Sequence, residues 1–106
     1  GTELHTVMNF RSSDIFLGLP FDIIVGAMFA HYIGHKTDLT PRKLYLSIAN
    51  AHLYLEHEKM AQEVVKQDIH WEAPELLVEE WNINKPDNFS VVNYKHNAFI
   101  KAPLIC

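Results

Sequence analysis

The sequence has only one cysteine among its 106 residues, and that cysteine is the last residue, Cys106. A single thiol excludes the internal disulfide framework on which small secreted domains commonly depend. Its place at the end of the chain also makes Cys106 a poor candidate for a catalytic nucleophile. We therefore expect a protein of a reducing compartment, the cytoplasm.

Positive charge is scarce as well. Nine Lys and Arg residues stand against 13 Asp and Glu residues, which leaves a net charge of -4, and the basic residues are scattered. Because nucleic acids are held mainly by clusters of Lys and Arg, we expect no nucleic-acid binding. The longest mainly apolar stretch, 15–33, is interrupted by Pro20, Asp22 and His31, and no basic-then-apolar leader opens the chain. These features predict a soluble protein without membrane association.

Repeats, low-complexity tracts and linkers rich in Pro or Gly are also absent, and the length allows one domain at most. Apolar and polar residues alternate over 3–11 and again over 43–53, which predicts two half-buried strands. Two more strands are predicted at 75–81 and 89–94, separated by the turn-forming segment 82–88.

Helical spacing of apolar residues predicts a long helix over 20–35, with Pro20 in its first turn and Gly34 near its end. Its other face is apolar too, so we expect this helix to be buried nearly all round. A surface helix with a narrow apolar stripe is expected over 56–67. The predicted fold class is α+β, with a mixed β-sheet packed against a long buried helix.

Three motifs carry the strongest functional signal. The first runs from Arg11 to Phe21 with the sequence RSSDIFLGLPF and is followed by Asp22; the others are AHLY at 51–54 and IKAP at 100–103. In order and spacing they closely resemble segments of the thymidylate synthase family, which adds a carbon unit to C5 of a pyrimidine nucleotide. The resemblance implies a thymidylate synthase-like fold, incomplete at the N-terminus, with residues 1–106 as the C-terminal part of one catalytic domain.

The resemblance also implies how a nucleotide is bound. Arg11 and Ser12 match the residues that hold the 5′-phosphate, a task that suits the planar fork of a guanidinium group. His52 and Tyr54 match the pair that hydrogen-bonds the deoxyribose 3′-hydroxyl, and Gly18 matches a glycine that lies close to the pyrimidine. Without the family pattern, Arg11 is interpreted as a surface charge and His52 as a half-buried residue at a strand end.

The cofactor implied by the resemblance is 5,10-methylenetetrahydrofolate. Asp14 matches an aspartate that accepts hydrogen bonds from the pterin ring, and the tail 100–106 resembles a segment that closes over the folate. The candidate folate-binding residues are Asp14, Leu17, Phe21, Lys101 and Ala102. Asp14 also has a simpler interpretation as an acid that stabilises a turn.

Asp22 is an informative departure, because thymidylate synthases have Asn at this position. An amide complements the N3-H and O4 of uracil, whereas cytosine presents the reverse pattern and suits a neutral carboxylic acid, or a carboxylate facing an N3-protonated ring. Deoxycytidylate hydroxymethylases of the family carry Asp here, so the resemblance favours deoxycytidylate. The alternative is an acid in the first turn of a helix, which favours the helix dipole without any ligand.

The reaction implied by the resemblance begins with a cysteine thiolate that adds to C6 of the pyrimidine and makes C5 nucleophilic. Asp22 is then a candidate for stabilising charge on the ring as well as for recognising the base. The family's nucleophile lies in a Pro-Cys-His segment upstream of the arginine, and nothing similar precedes Arg11. His52, Glu56 and His57 lie close together, but no spacing in the sequence strongly specifies a metal site, so none is expected.

The predicted function is therefore folate-dependent transfer of a one-carbon unit to C5 of a pyrimidine deoxynucleoside monophosphate by a homodimeric enzyme. Deoxycytidylate 5-hydroxymethylase is favoured. One alternative is deoxyuridylate methylation, as in a thymidylate synthase. Another is a catalytically inactive nucleotide-binding fragment, since the nucleophile is missing from this chain.

Overall fold

The computed structural model describes residues 1–67, 71–95, 100 and 104. Four strands and two α-helices follow one another as β1 (Glu3–Asp14), α1 (Leu19–Thr37), β2 (Thr40–His52), α2 (Glu58–Val65), β3 (Glu75–Val78) and β4 (Phe89–Val92). Short 3₁₀ turns lie at Leu55–His57 and Pro86–Asn88. Within the described ranges, no helix combines the length and apolar character that a membrane crossing requires.

Strands β1 and β2 pair in parallel, with α1 as the connection between them. A parallel pair needs such a crossover, because a tight turn can join only antiparallel strands. After a shift in register between Leu4 and His5, the pairing continues to the carboxyl ends, where Asp14 lies opposite His52. Both strand ends therefore reach the same edge of the sheet.

Helix α1 begins where the sequence predicts, with Gly18 as its N-cap and Pro20 in the first turn. It continues to Thr37, beyond the predicted end near Gly34. The end is set by Asp38, which adopts the left-handed conformation at φ 58° and donates its N–H to the Gly34 carbonyl. An Asp at this position is tolerated because its short side chain fits left-handed backbone better than most.

The side of α1 that packs against the sheet consists of small residues rather than large ones. Gly26, Ala30 and Gly34 are its buried positions, and a Cβ at Gly26 would meet Met8 and Leu44. Small residues let the helix backbone approach the strands closely. The expectation of burial nearly all round is wrong for the described chain, because most of the large apolar residues of α1 are exposed. The exposed apolar residues of α1 include Phe21, Ile23, Ile24, Val25, Phe29 and Ile33.

Gly34→Ala is expected to destabilise the protein by about 1–3 kcal/mol, the scale of overpacking. A Cβ at Gly34 would lie 2.6 Å from the Leu39 carbonyl oxygen and 3.0 Å from Pro41 Cγ. Elsewhere in a helix, Ala in place of Gly stabilises by about 0.5–1 kcal/mol. A lower free energy of unfolding in Gly34→Ala would therefore indicate a close approach at this position. Urea unfolding of the intact protein measures it. His31→Ala, at an exposed position of the same helix, is the control; a stabilising Gly34→Ala contradicts the close approach.

Strands β3 and β4 form an antiparallel hairpin, so the α+β class is confirmed, with the two pairings in separate two-stranded sheets among the described residues. Both strands are shorter than predicted. Val78 pairs with Phe89 at the turn end, and Asn93, at φ 58°, follows the last paired residue of β4. Left-handed backbone interrupts an extended ladder, which accounts for the early end of β4.

The hairpin contacts α1 through aromatic rings. Trp81 stacks on His35, with ring centroids 4.6 Å apart and planes 8° from parallel, and it also contacts Tyr32 and Phe89. An apolar groove of about 140 Å³ lies beside this cluster. The groove is lined by Val25, Met28, Phe29, Tyr32, Ile83, Pro86 and Phe89.

Candidate functional site

Ser12 and His52, 40 residues apart in the sequence, meet at the carboxyl ends of β1 and β2. The Ser12 Oγ lies 3.4 Å from the His52 Nδ1, and both side chains are half-buried. The parallel register produces this contact, because Ser12 pairs with Asn50 and Asp14 pairs with His52. Two residues from motifs predicted to bind the same nucleotide are thus in contact.

Tyr54 lies next to this pair, beyond the end of β2. Its ring stands edge-on to the His52 ring, with centroids 5.5 Å apart and planes at 90°. The Tyr54 carbonyl accepts a hydrogen bond from the His57 N–H at 2.9 Å, and this bond closes the 3₁₀ turn. Tyr54 is 38% exposed, so its ring is available to a ligand.

Arg11 precedes Ser12 and is exposed. Within the part of the chain that the structure describes, its guanidinium forms no ion pair, whereas Arg42 of β2 is 3.3 Å from the Glu3 carboxylate. Strand alternation directs Arg11 and Ser12 to opposite faces of β1. The described contacts do not bring Arg11 to the Ser12–His52 pair, and its phosphate role stays a prediction.

Asp14 organises the turn between β1 and α1. Its Oδ1 accepts hydrogen bonds from the backbone N–H groups of Phe16 at 3.1 Å and Leu17 at 3.4 Å. Its carbonyl oxygen accepts from the Gly18 N–H at 3.1 Å. A carboxylate that holds a turn in this way uses one oxygen, and its other oxygen can serve a ligand.

Gly18 and the two apolar candidates lie on this turn and the start of α1. A Cβ at Gly18 would stand 3.2 Å from the Asp14 carbonyl oxygen, so the close approach here is to the turn itself. Leu17 is exposed and Phe21 is 72% exposed, which leaves apolar surface beside the polar edge. The structure thus places both predicted folate-contacting apolar side chains at one end of α1.

Asp22 occupies the first turn of α1 and is half-buried. Its backbone N–H donates to the Gly18 carbonyl at 3.1 Å. The Asp22 carboxylate forms no hydrogen bond or ion pair with any residue in the described ranges. Its position suits a helix-start acid and a ligand-binding acid equally well.

His57 is a site-supporting residue that the sequence analysis did not identify. It is fully buried, and its ring contacts Phe16 at 5.5 Å and Tyr54 at 6.1 Å between centroids. It therefore joins the turn after β1 to the segment after β2. Nothing in the sequence indicates its burial, because it stands in a charged stretch beside Glu56 and Glu58.

Two predicted residues, Lys101 and Ala102, lie outside the described residues. Among those that are described, no group of three or more His, Cys, Asp or Glu side chains is arranged to hold a metal ion. The apolar groove beside the hairpin is lined by other residues than the predicted site. The edge formed by β1, β2 and the start of α1 therefore remains the candidate site, with groups suited to an anionic, hydroxyl-bearing ligand.

Comparisons with known proteins identify the family of this chain. The family model described as "Thymidylate synthase" matches residues 1–106. Curated thymidylate synthases from Pseudomonas syringae pv. tomato and Pseudomonas putida are 29% and 31% identical to the chain and align with 96% of it. The chain spans 36% of the length of each of these relatives.

Solved structures are similar as well. The thermostable thymidylate synthase A from Bacillus subtilis superposes with a TM-score of 0.86 over 97% of this chain and 38% of that one, at 25% identity. The thymidylate synthase from T4 phage gives a TM-score of 0.77 over 92% of this chain and 41% of that one, also at 25% identity. Sequence and fold agree over nearly all of the chain, which therefore belongs to the thymidylate synthase family.

Proposed function

We propose that this chain is the C-terminal part of the catalytic domain of an enzyme that transfers a one-carbon unit to C5 of a pyrimidine 2′-deoxynucleoside 5′-monophosphate. Deoxycytidylate hydroxymethylation is the favoured reaction. The observation that carries the proposal is the contact of Ser12 with His52 at 3.4 Å. It joins the residue predicted to hold the phosphate to the residue predicted to hold the sugar.

The nucleotide would lie along the carboxyl edge of β1 and β2. Arg11 and Ser12 would hold the phosphate, and the exposed guanidinium of Arg11 has no competing carboxylate within the described ranges. His52 and Tyr54 would hold the 3′-hydroxyl, supported by the edge-on packing of their rings. Charge-assisted hydrogen bonds make the phosphate the stronger of the two anchors.

The base would face the start of α1, with Gly18 beside the ring. Asp22 would recognise the cytosine edge and stabilise charge that develops on the ring. Its half-buried carboxylate has no described partner that would have to be displaced. Deoxycytidylate is favoured over deoxyuridylate because the cytosine edge presents the reverse of the donor and acceptor pattern that Asn complements in uracil.

The residues present fit a folate. Phe21 is 72% exposed and Leu17 lies beside the turn that Asp14 holds, so a flat ring system would find apolar surface next to a carboxylate oxygen. Asp14, Leu17, Phe21, Lys101 and Ala102 would bind 5,10-methylenetetrahydrofolate. When bound, this group supplies the carbon unit. The nucleophilic cysteine would lie outside the present sequence.

We further propose that the enzyme acts as a cytoplasmic homodimer. The exposed apolar residues of α1 support burial of this helix by further protein in the assembled enzyme. The single cysteine supports a reducing compartment. The second candidate reaction, deoxyuridylate methylation, is supported by the names of the relatives, which are thymidylate synthases.

The intact protein is expected to release tritium to water from deoxycytidylate labelled at C5 when 5,10-methylenetetrahydrofolate is present. Bond formation at C5 must expel that hydrogen, so release reports carbon transfer. The product mass then distinguishes hydroxymethylation from methylation. Faster release from labelled deoxyuridylate would select the thymidylate synthase alternative. Folded protein that releases tritium from neither nucleotide would indicate an inactive nucleotide-binding module.

A further inference from the structure

His52 Nδ1 has two oxygen neighbours at the same distance. The Ser12 Oγ and the Asn50 backbone carbonyl oxygen both lie 3.4 Å away. A carbonyl oxygen can only accept a hydrogen bond, whereas a serine hydroxyl can donate or accept. A proton on Nδ1 satisfies both neighbours, whereas a lone pair on Nδ1 would face the lone pairs of the Asn50 carbonyl.

From this geometry we propose that the Asn50 carbonyl holds neutral His52 as the Nδ1–H tautomer, and so sets the direction of hydrogen bonding across the site. With the proton on Nδ1, the Nε2 of His52 is an acceptor and selects a ligand hydroxyl that donates. The Ser12 oxygen accepts from Nδ1–H, which leaves the Ser12 hydroxyl proton for a ligand anion. The inference rests on the proposed function for the identity of this ligand, a nucleotide with a free 3′-hydroxyl.

The backbone of β2, and not a side chain, determines the tautomer of His52. Asn50 and His52 are two residues apart on β2, and Asn50 pairs with Ser12 in the parallel register. The accepting group is a main-chain carbonyl, so the tautomer depends on strand geometry and not on the Asn50 side chain. His52 is then a specificity-determining residue that acts on the sugar through Nε2 and on the phosphate through Ser12.

Nuclear magnetic resonance of the intact, ligand-free protein tests the tautomer directly. In protein labelled with ¹⁵N-histidine, the His52 signals are identified by their loss in His52→Asn. We expect Nδ1 of the neutral ring to be protonated and Nε2 to be unprotonated. A neutral His52 with its proton on Nε2 would overturn the inference, whatever reaction the protein catalyses.

Nucleotide binding tests the consequence. Wild-type protein should bind deoxycytidine 5′-monophosphate about three- to tenfold more tightly than the 2′,3′-dideoxy nucleotide, the usual scale of one neutral hydrogen bond. His52→Asn keeps a donor near the Nδ1 position but lacks Nε2, so this preference should disappear. His5→Asn, at an exposed position of β1, is the matched control and should retain the preference.

A second variant tests the link to Ser12. His52→Gln loses the Nδ1–H donor while its longer side chain still reaches toward the hydroxyl, so it should keep more of the preference than His52→Asn does. Combining Ser12→Ala with His52→Gln should weaken binding less than the product of the two single effects, because the shared hydrogen bond is lost only once. A full product of the two effects, or no wild-type preference for the hydroxyl, would overturn the inference while leaving one-carbon transfer intact. Tritium release then decides the proposed function separately.

Discussion

Asp22→Asn is expected to shift the ratio of the kcat/KM values for deoxycytidylate and deoxyuridylate toward deoxyuridylate by roughly tenfold to a hundredfold or more. The amide satisfies the edge of uracil and leaves the edge of cytosine mispaired. A buried mispaired polar group costs about 1–3 kcal/mol, which sets this range. Initial rates of tritium release from both nucleotides, measured on the intact protein and the variant, give the ratio.

The control for Asp22→Asn is Glu58→Gln, which neutralises an acid in the first turn of α2. It should lower stability slightly through the helix dipole and leave the ratio of kcat/KM values unchanged. If Asp22 is only a helix-start acid, Asp22→Asn will behave in the same way. An unchanged base preference in both variants would therefore remove Asp22 from base recognition.

Arg11→Ala should weaken binding of deoxycytidine 5′-monophosphate by about 1.5–3 kcal/mol, or roughly tenfold to a hundredfold or more. Hydrogen bonds to a charged group contribute this much binding free energy. The exposed guanidinium of Arg11 has no ion-pair partner among the described residues with which the phosphate would have to compete. Calorimetric titration of the intact protein measures the change. The unphosphorylated nucleoside should bind wild-type protein much more weakly than the nucleotide, and Arg11→Ala should barely affect it.

Arg42→Ala provides the matched control for Arg11. Arg42 is also an exposed arginine of the parallel pair, but its Nε lies 3.3 Å from the Glu3 carboxylate at the other end of the strands. An exposed ion pair contributes little to stability, so the fold should tolerate its loss. Equal weakening in both variants would mean that general positive charge, and not a phosphate contact by Arg11, accounts for the effect.

Local sequence patterns predicted the elements that build the site. Alternation over 3–11 and 43–53 marked β1 and β2, and helical spacing after Pro20 marked α1. The motifs also named Ser12 and His52 as members of one binding site, and the structure brings them into contact. Periodicity succeeds here because each of these elements has one face against the same small core.

Patterns failed where the result depended on what a side chain packs against. The apolar residues of α1 predicted burial all round, but packing is closest at Gly26 and Gly34, which carry no hydrophobic signal. His57 gave no sign of burial because its neighbours along the chain are charged. Only the approach of Phe16 and Tyr54 from different segments makes it an interior residue.

The sequence by itself determined the family, the order of strands and helices and the residue types of the candidate site, because motifs and periodicity are properties of neighbouring residues. The tertiary structure alone decided the parallel register of β1 and β2, the face of α1 against the sheet and the buried place of His57. It also placed the Asn50 carbonyl and the Ser12 hydroxyl around one nitrogen of His52. Contacts between segments far apart in the chain depend on how whole elements pack. Local patterns carry no information about which distant segments come into contact.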